Sequence, residues 1–333
     1  MKPSTVQDIL LPLLEIHGAT GGEHRVSAWL ADLLRPYVDE LRTDALGNLI
    51  AVKRGTGKRI MISAHMDHIG FVAIDADEHG FVRVCSVGGI HVPVSLGQHV
   101  VFDSGVRGVI GADQDIEGNP LMQNLYIDIG ACDRAEALAK VPIGDVAVYL
   151  PQTARLGEHR LAAPAMDDRV GCAMLAWLLI HTDNCPNELV GVFSTQEEVG
   201  LRGARVAAYS VDPDIGVALD VTATGDVPEV KPKMAVGLGK GPAIKVMDRS
   251  LIATPLVRDA MIAAAKDAGI PYQLEVLTIG GTDAGAIQLS RGGVPSGTIS
   301  IATRYVHSAA ETIDLRDLEQ GGALLRAFAC RTF

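Results

Sequence analysis

Cysteine is scarce and scattered in these 333 residues. The five, Cys85, Cys132, Cys172, Cys185 and Cys330, are odd in number and form no CxxC pair. Neither a disulfide framework nor a thiolate metal site is expected, which suits a reducing compartment. Long apolar runs are missing too; the longest reach about ten residues, well short of a membrane span. The amino-terminal segment has no apolar stretch followed by a small-residue cleavage site, so a cytoplasmic location is expected. Positive charge is in deficit: 29 Lys and Arg stand against 40 Asp and Glu, a net charge of −11. An acidic surface repels nucleic acid and anionic membrane, and neither is expected as a partner. Aromatic residues make up 4% of the chain, which leaves the core to Val, Ile, Leu and Ala. No internal repeat or low-complexity tract is visible.

What is present describes an ordinary folded chain. Hydrophobic residues are 48%, charged residues 21%, and 36 glycines supply tight turns. A chain of this length can bury a sizeable core without disulfides and suggests two domains. Apolar spacing predicts helices over Val6–Ile16 and Val26–Tyr37, with a start signal for the second at Thr20–Glu23. Strands follow at Asn48–Val52 and Arg59–Ala64. From residue 69 to 163 the texture changes to short β-like runs between glycine-rich turns, with one short helix at Cys132–Lys140. Strand–helix alternation then resumes. Helices are expected at Val170–Ile180, Gly203–Tyr209, Pro255–Ala268, Ala284–Leu289 and Leu315–Ala329. Strands are expected at Leu189–Ser194, Ile215–Leu219, Tyr272–Leu277 and Gly297–Ile301. The pattern predicts an α/β fold with a mixed, largely parallel sheet and flanking helices, interrupted by a small all-β insertion. The expected division is 1–68 with 164–333, and 69–163 as the inserted unit.

In α/β sheets, ligands collect beyond the carboxyl ends of strands. At those ends stand His65 and Asp67, Glu197 and Glu198, Asp220 and His307, while Asp167 and Asp168 precede the apolar helix. Taken singly, each has a bland reading. His65 could be a strand-end histidine with a local hydrogen bond. Asp167 and Asp168 could be a helix cap and a first-turn charge, and Glu197 and Glu198 a solvated acidic turn. Together they form a mixed imidazole–carboxylate set that suits Zn, Co or Mn better than Mg. Adjacent glutamates after a buried strand supply one carboxylate to hold a metal and one to move a proton.

The segments SAHMDHIGF, PAMDDRVGC, STQEEVGLRGA, ALDVT, GGTDAGAIQ and RYVHSAAETI, in this order, resemble the M42 family of dinuclear metallo-aminopeptidases, over nearly the whole chain. That family includes the tetrahedral, self-compartmentalising aminopeptidases. The resemblance implies that the insertion is a PDZ-like β-barrel used in assembly, and that the protein is a tetrahedral dodecamer. It implies two divalent ions per subunit, Zn or Co foremost and Mn also compatible. His65 and Asp220 would bind one ion, Glu198 and His307 the other, and Asp167 would bridge them. Glu197 would be the general base, and Asp67 would orient His65. The substrates would be short peptides, trimmed from their amino termini.

Two other enzyme readings remain at this level. One is a metal-dependent deacylase of small amides. The other, much weaker, is an endoglucanase-type glycosidase, which would need two carboxylates free of metal. A non-catalytic scaffold would be expected to lose a ligand or the base, and none is lost here. His68 stands where many members of the family carry an acid. Its bland reading is a loop histidine near the pocket mouth; its functional reading is altered charge at the substrate entrance. Cys172 is expected in the core. Asp283 is most simply a helix cap, with a pocket-lining role as the alternative. His17, His24, His79, His91, His99, His159 and His181 have no ligand spacing and are expected to be structural or on the surface.

Overall fold

Four strands buried on both faces form the spine of the computed structural model, which describes residues 2–114, 118–229 and 234–333. Helices α1 (Gln7–Leu13) and α2 (His24–Leu34) lead into strands β1 (Glu40–Thr43), β2 (Leu49–Lys53) and β3 (Arg59–His65). Six short strands come next: β4 (Gly70–Ala76), β5 (Val82–Val87), β6 (His99–Phe102), β7 (Arg107–Ala112), β8 (Leu125–Asp128) and β9 (Val146–Tyr149). Helix α3 (Val92–Ser95) lies between β5 and β6, and α4 (Arg134–Lys140) between β8 and β9. Strands β10 (Ala154–Leu156) and β11 (Arg160–Ala163) precede the long helix α5 (Met166–His181). After it come β12 (Glu188–Ser194), α6 (Arg202–Val211), β13 (Ile215–Ala223), β14 (Ala243–Met247) and α7 (Pro255–Asp267). The chain closes with β15 (Gln273–Val276), α8 (Asp283–Gln288), β16 (Ser296–Arg304), β17 (Glu311–Asp314) and α9 (Leu315–Ala329).

The strands divide into two systems. An 11-stranded sheet runs β1-β2-β12-β3-β13-β16-β17-β11-β10, with β14 and β15 joined beside β16. The other six strands close into an antiparallel barrel, β4-β5-β8-β7-β6-β9. Within the large sheet, β12, β3, β13 and β16 are mutually parallel, as is the β14–β15 pair. Every other pairing is antiparallel. The sheet is therefore mixed with a parallel centre, and the expectation of a largely parallel sheet gives way at its flanks. Short hairpin links such as β1–β2, β10–β11 and β16–β17 can only join antiparallel neighbours, whereas parallel pairs need a crossover.

Local sequence explains these elements. β3, β13 and β16 lie in the middle of the sheet, covered above and below, so they read as unbroken apolar runs rather than alternation. Helix α5 is apolar all round and almost wholly buried. It packs on β13 and β3 with α1 and α9 beside it, while α6 and α8 cover the opposite face. The first helix stops at Leu13, short of the expected Ile16, and has Pro12 in its last turn. The stretch 69–163 does not all enter the barrel. The last barrel strand ends at Tyr149, and β10 and β11 extend the large sheet through β17. Strands β1, β14 and β17 carry no periodicity that betrayed them, being short and lying on or near the sheet edges. Among the described residues, no helix is long and apolar enough to cross a membrane.

Candidate functional site

The carboxyl ends of the four parallel strands face one cavity of about 740 Å³. His65 is the last residue of β3, opposite Ser194, the last residue of β12. Glu197 and Glu198 follow in the turn after β12. Asp220 lies inside β13 rather than after it, because that strand runs on to Ala223. His307 sits in the turn between β16 and β17 with a left-handed backbone, φ 63°. Asp167 and Asp168 interrupt the first turn of α5 with non-helical torsions, so neither acts as an ordinary cap.

The side chains form two overlapping sets. Ligand atoms of His65, Asp167 and Asp220 lie within 4.8 Å of one another, and so do those of Asp167, Glu198 and His307. Asp167 belongs to both. Its Oδ1 is 3.0 Å from His65 Nε2, and its Oδ2 is 3.3 Å from His307 Nε2. His307 Nε2 is also 3.4 Å from Glu198 Oε2. Glu198 Oε1 is buried without a hydrogen-bond partner, and Asp167 Oδ1 has only the His65 ring nitrogen beside it. Such orphaned oxygens are costly to bury. Facing imidazole nitrogens around a common point, they are what a cation would satisfy, so the residues present fit a pair of divalent ions.

The electrostatics agree. Burial pushes Glu197 well above the carboxylate range, and Asp220, Asp283 and Glu198 add repulsion. Burial likewise raises Asp220 well above its usual value, reinforced by Asp167, and it raises Glu198. Burial alone would lower His307, but hydrogen bonds and attraction from Asp167 and Glu198 carry it up to about 12. Burial would raise Asp167, yet the two imidazoles hold its carboxyl below the ordinary range. An acid-rich buried cluster of this kind needs compensating positive charge.

Supporting groups fix the backbone. Asp67 Oδ1 accepts from the Glu197 N–H at 3.0 Å, and Oδ2 accepts from Thr20 Oγ1 at 2.8 Å and the Glu198 N–H at 3.3 Å. His65 Nδ1 bonds the main-chain oxygen of Asp67 at 2.9 Å, while the carboxylate is 3.6 Å away. The expected orientation of His65 thus comes through the Asp67 carbonyl, and the carboxylate steadies the glutamate turn. Glu23 helps from α2's threshold, accepting from Gln196 N–H at 3.1 Å. Asp168 Oδ2 accepts from His65 N–H at 3.1 Å. Glu311 accepts from the N–H groups of Asp167 and His307, at 3.0 and 2.7 Å. Burial, with Asp167 nearby, pushes Glu311 up to about 8. Glu23 and Glu311 were missed from sequence; Glu311 stands four residues past His307, and only that proximity could have drawn attention to it.

Two sequence readings change, and one contact is new. His68 does not line the cavity: it is 6% exposed, and Nδ1 bonds the Ile69 carbonyl at 3.0 Å. Burial, aided by Arg169 and His17, pulls it down to about 3, so it is neutral and cannot charge a substrate entrance. Asp283 is not a cap. Thr282 holds that position, and Asp283 Oδ2 accepts from Ser63 and Ser194, each at 2.6 Å, tying β3 to β12 beneath the site. The barrel also reaches the site: Gly88 and Gly89 lie so close that a Cβ on Gly88 would come within 3.1 Å of Glu198 Oε2, and one on Gly89 within 2.7 Å of His307 Nδ1. Cys172 is buried as expected, its thiol donating to the His65 carbonyl. The far wall of the cavity is mainly apolar, with Leu201, Val221, Leu277, Ile279 and Val306.

Comparison with known proteins gives this geometry a context. The chain is 45% identical to a putative aminopeptidase of Acetivibrio thermocellus over 332 residues, 99% of this chain and all of that one. An aminopeptidase from the archaeon Desulfurococcus kamchatkensis superposes with a TM-score of 0.94 at 38% identity, covering 98% of this chain and 95% of that one. The TET1 peptidase of Pyrococcus horikoshii, which can assemble into a tetrahedron or a large octahedral shell, gives 0.87 at 32% identity, covering 98% and 99%. The model of the M42 glutamyl aminopeptidase family matches residues 47–324, and the chain belongs to that family of peptide hydrolases.

Proposed function

We propose that this chain is a dinuclear metal-dependent aminopeptidase that removes amino-terminal residues from short peptides. The observation that carries the reading is the placement of Asp167 in two imidazole–carboxylate sets at once. His65 and Asp220 would hold one divalent ion, Glu198 and His307 the second, and Asp167 would bridge them. The donor set suits Zn or Co, and also Mn. When bound, such ions polarise the scissile carbonyl and lower the pKa of water near neutrality.

The chain's own residues supply the rest. Glu197 takes the proton from the attacking water and delivers it to the leaving amine. It belongs to neither ligand set yet borders the same cavity. Burial raises the proton affinity of its carboxylate, which makes it a stronger acceptor for the proton of the attacking water. Carboxylates around the site attract the free ammonium of a peptide's first residue, which makes cleavage exo. Leu201, Val221, Leu277 and Ile279 shield the reacting centre from bulk water. Asp67, through its carbonyl and its carboxylate, positions His65 and the Glu197–Glu198 turn. Segments 1–68 and 164–333, with β10 and β11 joined to their sheet, form the catalytic unit, and the barrel within the 69–163 insertion serves assembly. Similarity to a peptidase that builds a tetrahedron supports a dodecamer enclosing the active sites.

A panel of aminoacyl chromogenic substrates tests the activity, run on metal-stripped protein and after adding Zn, Co or Mn. Turnover should vanish on stripping and return with metal. The same panel includes N-acyl amino acids and a glucan. Hydrolysis of acylated amino acids in preference to aminoacyl substrates, or glucan cleavage that persists in chelator, would overturn the peptidase reading.

A further inference from the structure

Two cysteines that are far apart in sequence meet on the side of the molecule away from the site. Cys185 lies in the loop between α5 and β12, and Cys330 caps the end of α9. The Cys185 thiol approaches the Ala329 carbonyl at 3.4 Å. Asn187 Nδ2 donates to the carbonyls of Ala329 and Arg331, at 2.8 and 2.7 Å, and so clasps the backbone on both sides of Cys330. Cys185 Sγ therefore lies against the peptide unit that joins Ala329 to Cys330. Both cysteines are partly exposed, so a small reagent can reach them.

We propose that Cys185 and Cys330 form a reversible disulfide that staples the loop entering β12 to the carboxyl end of α9. The oxidant is a low-molecular-weight disulfide of the glutathione class. The Cys185 thiolate attacks one sulfur of that disulfide, whose S–S bond breaks and expels one thiol. Cys330 then loses its proton and attacks Cys185 Sγ, expelling the second thiol. Two protein thiols are oxidised, one small disulfide is reduced to two thiols, and no other reactant is needed.

The surroundings favour this order. The hydrogen bond from Cys330 lowers the Cys185 thiol to about 7, with burial opposing and the Asn187 N–H and Lys53 assisting. Cys185 is therefore the attacking group near neutral pH. The same contact raises Cys330, and that penalty disappears once Cys185 is masked in the mixed disulfide. The bridge would close a loop containing Glu197, Glu198, Asp220 and His307. It would restrict the unfolded chain without touching the cavity.

The test uses the metal-loaded protein with the exposed Cys85 and Cys132 replaced by serine. After incubation with excess oxidised glutathione, the protein is acid-quenched, denatured and labelled with a maleimide. Mass spectrometry should show the loss of two of the three labels, and digestion should yield linked peptides bearing Cys185 and Cys330. With Cys330→Ser, oxidation should stop at glutathione on Cys185; with Cys185→Ser, neither product should form. The oxidised pair should melt at a higher temperature than the reduced one, and Cys330→Ser should lose that shift. Three labels retained, or a mixed disulfide that persists with Cys330 present, would overturn the bridge. An unchanged or lower melting temperature on oxidation would overturn the staple.

Discussion

Asp167 faces two imidazoles at once, and that double demand makes single-residue changes at the site separable. Replacing Glu197 with Gln preserves shape and leaves both ligand sets intact. Metal content should stay at the wild-type level while kcat falls by about 10²–10⁴-fold, the usual contribution of a positioned base. Wild-type turnover with full metal would remove Glu197 from the role of base. Replacing Asp167 with Ala takes a ligand from each set, so elemental analysis after gel filtration should find more metal lost than in a His307 variant. Equal content in Asp167→Ala and wild type would exclude a shared ligand. His68 offers a different kind of test. Its folded pKa is lowered to about 3 from the ordinary 6.5. Below pH 6.5 the unfolded chain binds a proton that the folded chain refuses, so stability falls as the pH drops towards 3. By pH 5 the cost is about 2 kcal/mol. His68→Gln should lose less stability than wild type between pH 7 and pH 5 in urea melts; identical losses would contradict the buried neutral imidazole.

At the scale of elements, the site depends on two close approaches that only glycine permits. Gly203 opens α6, where an added Cβ would meet Asn48 Oδ1 at 2.3 Å and the Thr195 backbone at 2.5 Å. Thr195 leads directly into the glutamate turn. Gly203→Ala should cost about 1–3 kcal/mol of stability and lower kcat, because the turn must shift. Gly89 belongs to the barrel side, and its missing side chain leaves room for the His307 ring. Gly89→Ala should weaken metal binding by about 10–100-fold, the equivalent of 1–3 kcal/mol of overpacking. Titration by calorimetry would read this directly, and unchanged affinity would show that the barrel does not support the ring.

For the whole molecule, the question is what the barrel adds beyond that contact. It has its own apolar core around Phe71, Phe102, Ile110 and Tyr149, distinct from the core of the large sheet. None of the residues in the two metal-fitting sets comes from it. Light scattering of the metal-loaded protein should give a mass about twelve times that of one chain, as expected for closed homo-oligomers of this kind. A stable monomer or dimer would refute the dodecamer and leave the chemistry standing.

Much of this protein was determined by local sequence. Runs such as those of β3, β12 and β13 declare buried strands because burial on both faces demands continuous apolar side chains. His65, Asp67, Asp167, Asp168, Glu197, Glu198, Asp220 and His307 could be grouped from sequence, because strand ends in an α/β sheet converge on one edge, while the choice of five ligands among them came from the family resemblance. The tertiary structure decided what depends on distance rather than period. No spacing announces that Glu311 holds the backbone of Asp167, that Glu23 steadies Gln196, or that the Asp67 carbonyl rather than its carboxylate bonds His65. The antiparallel flanks of the sheet were hidden because short edge strands carry too few residues to show a pattern. Gly89 against His307, and Cys185 beside Cys330, are meetings of segments remote in the chain. Only the folded backbone could bring them together, since periodicity reports which face a residue buries and not what it is buried against.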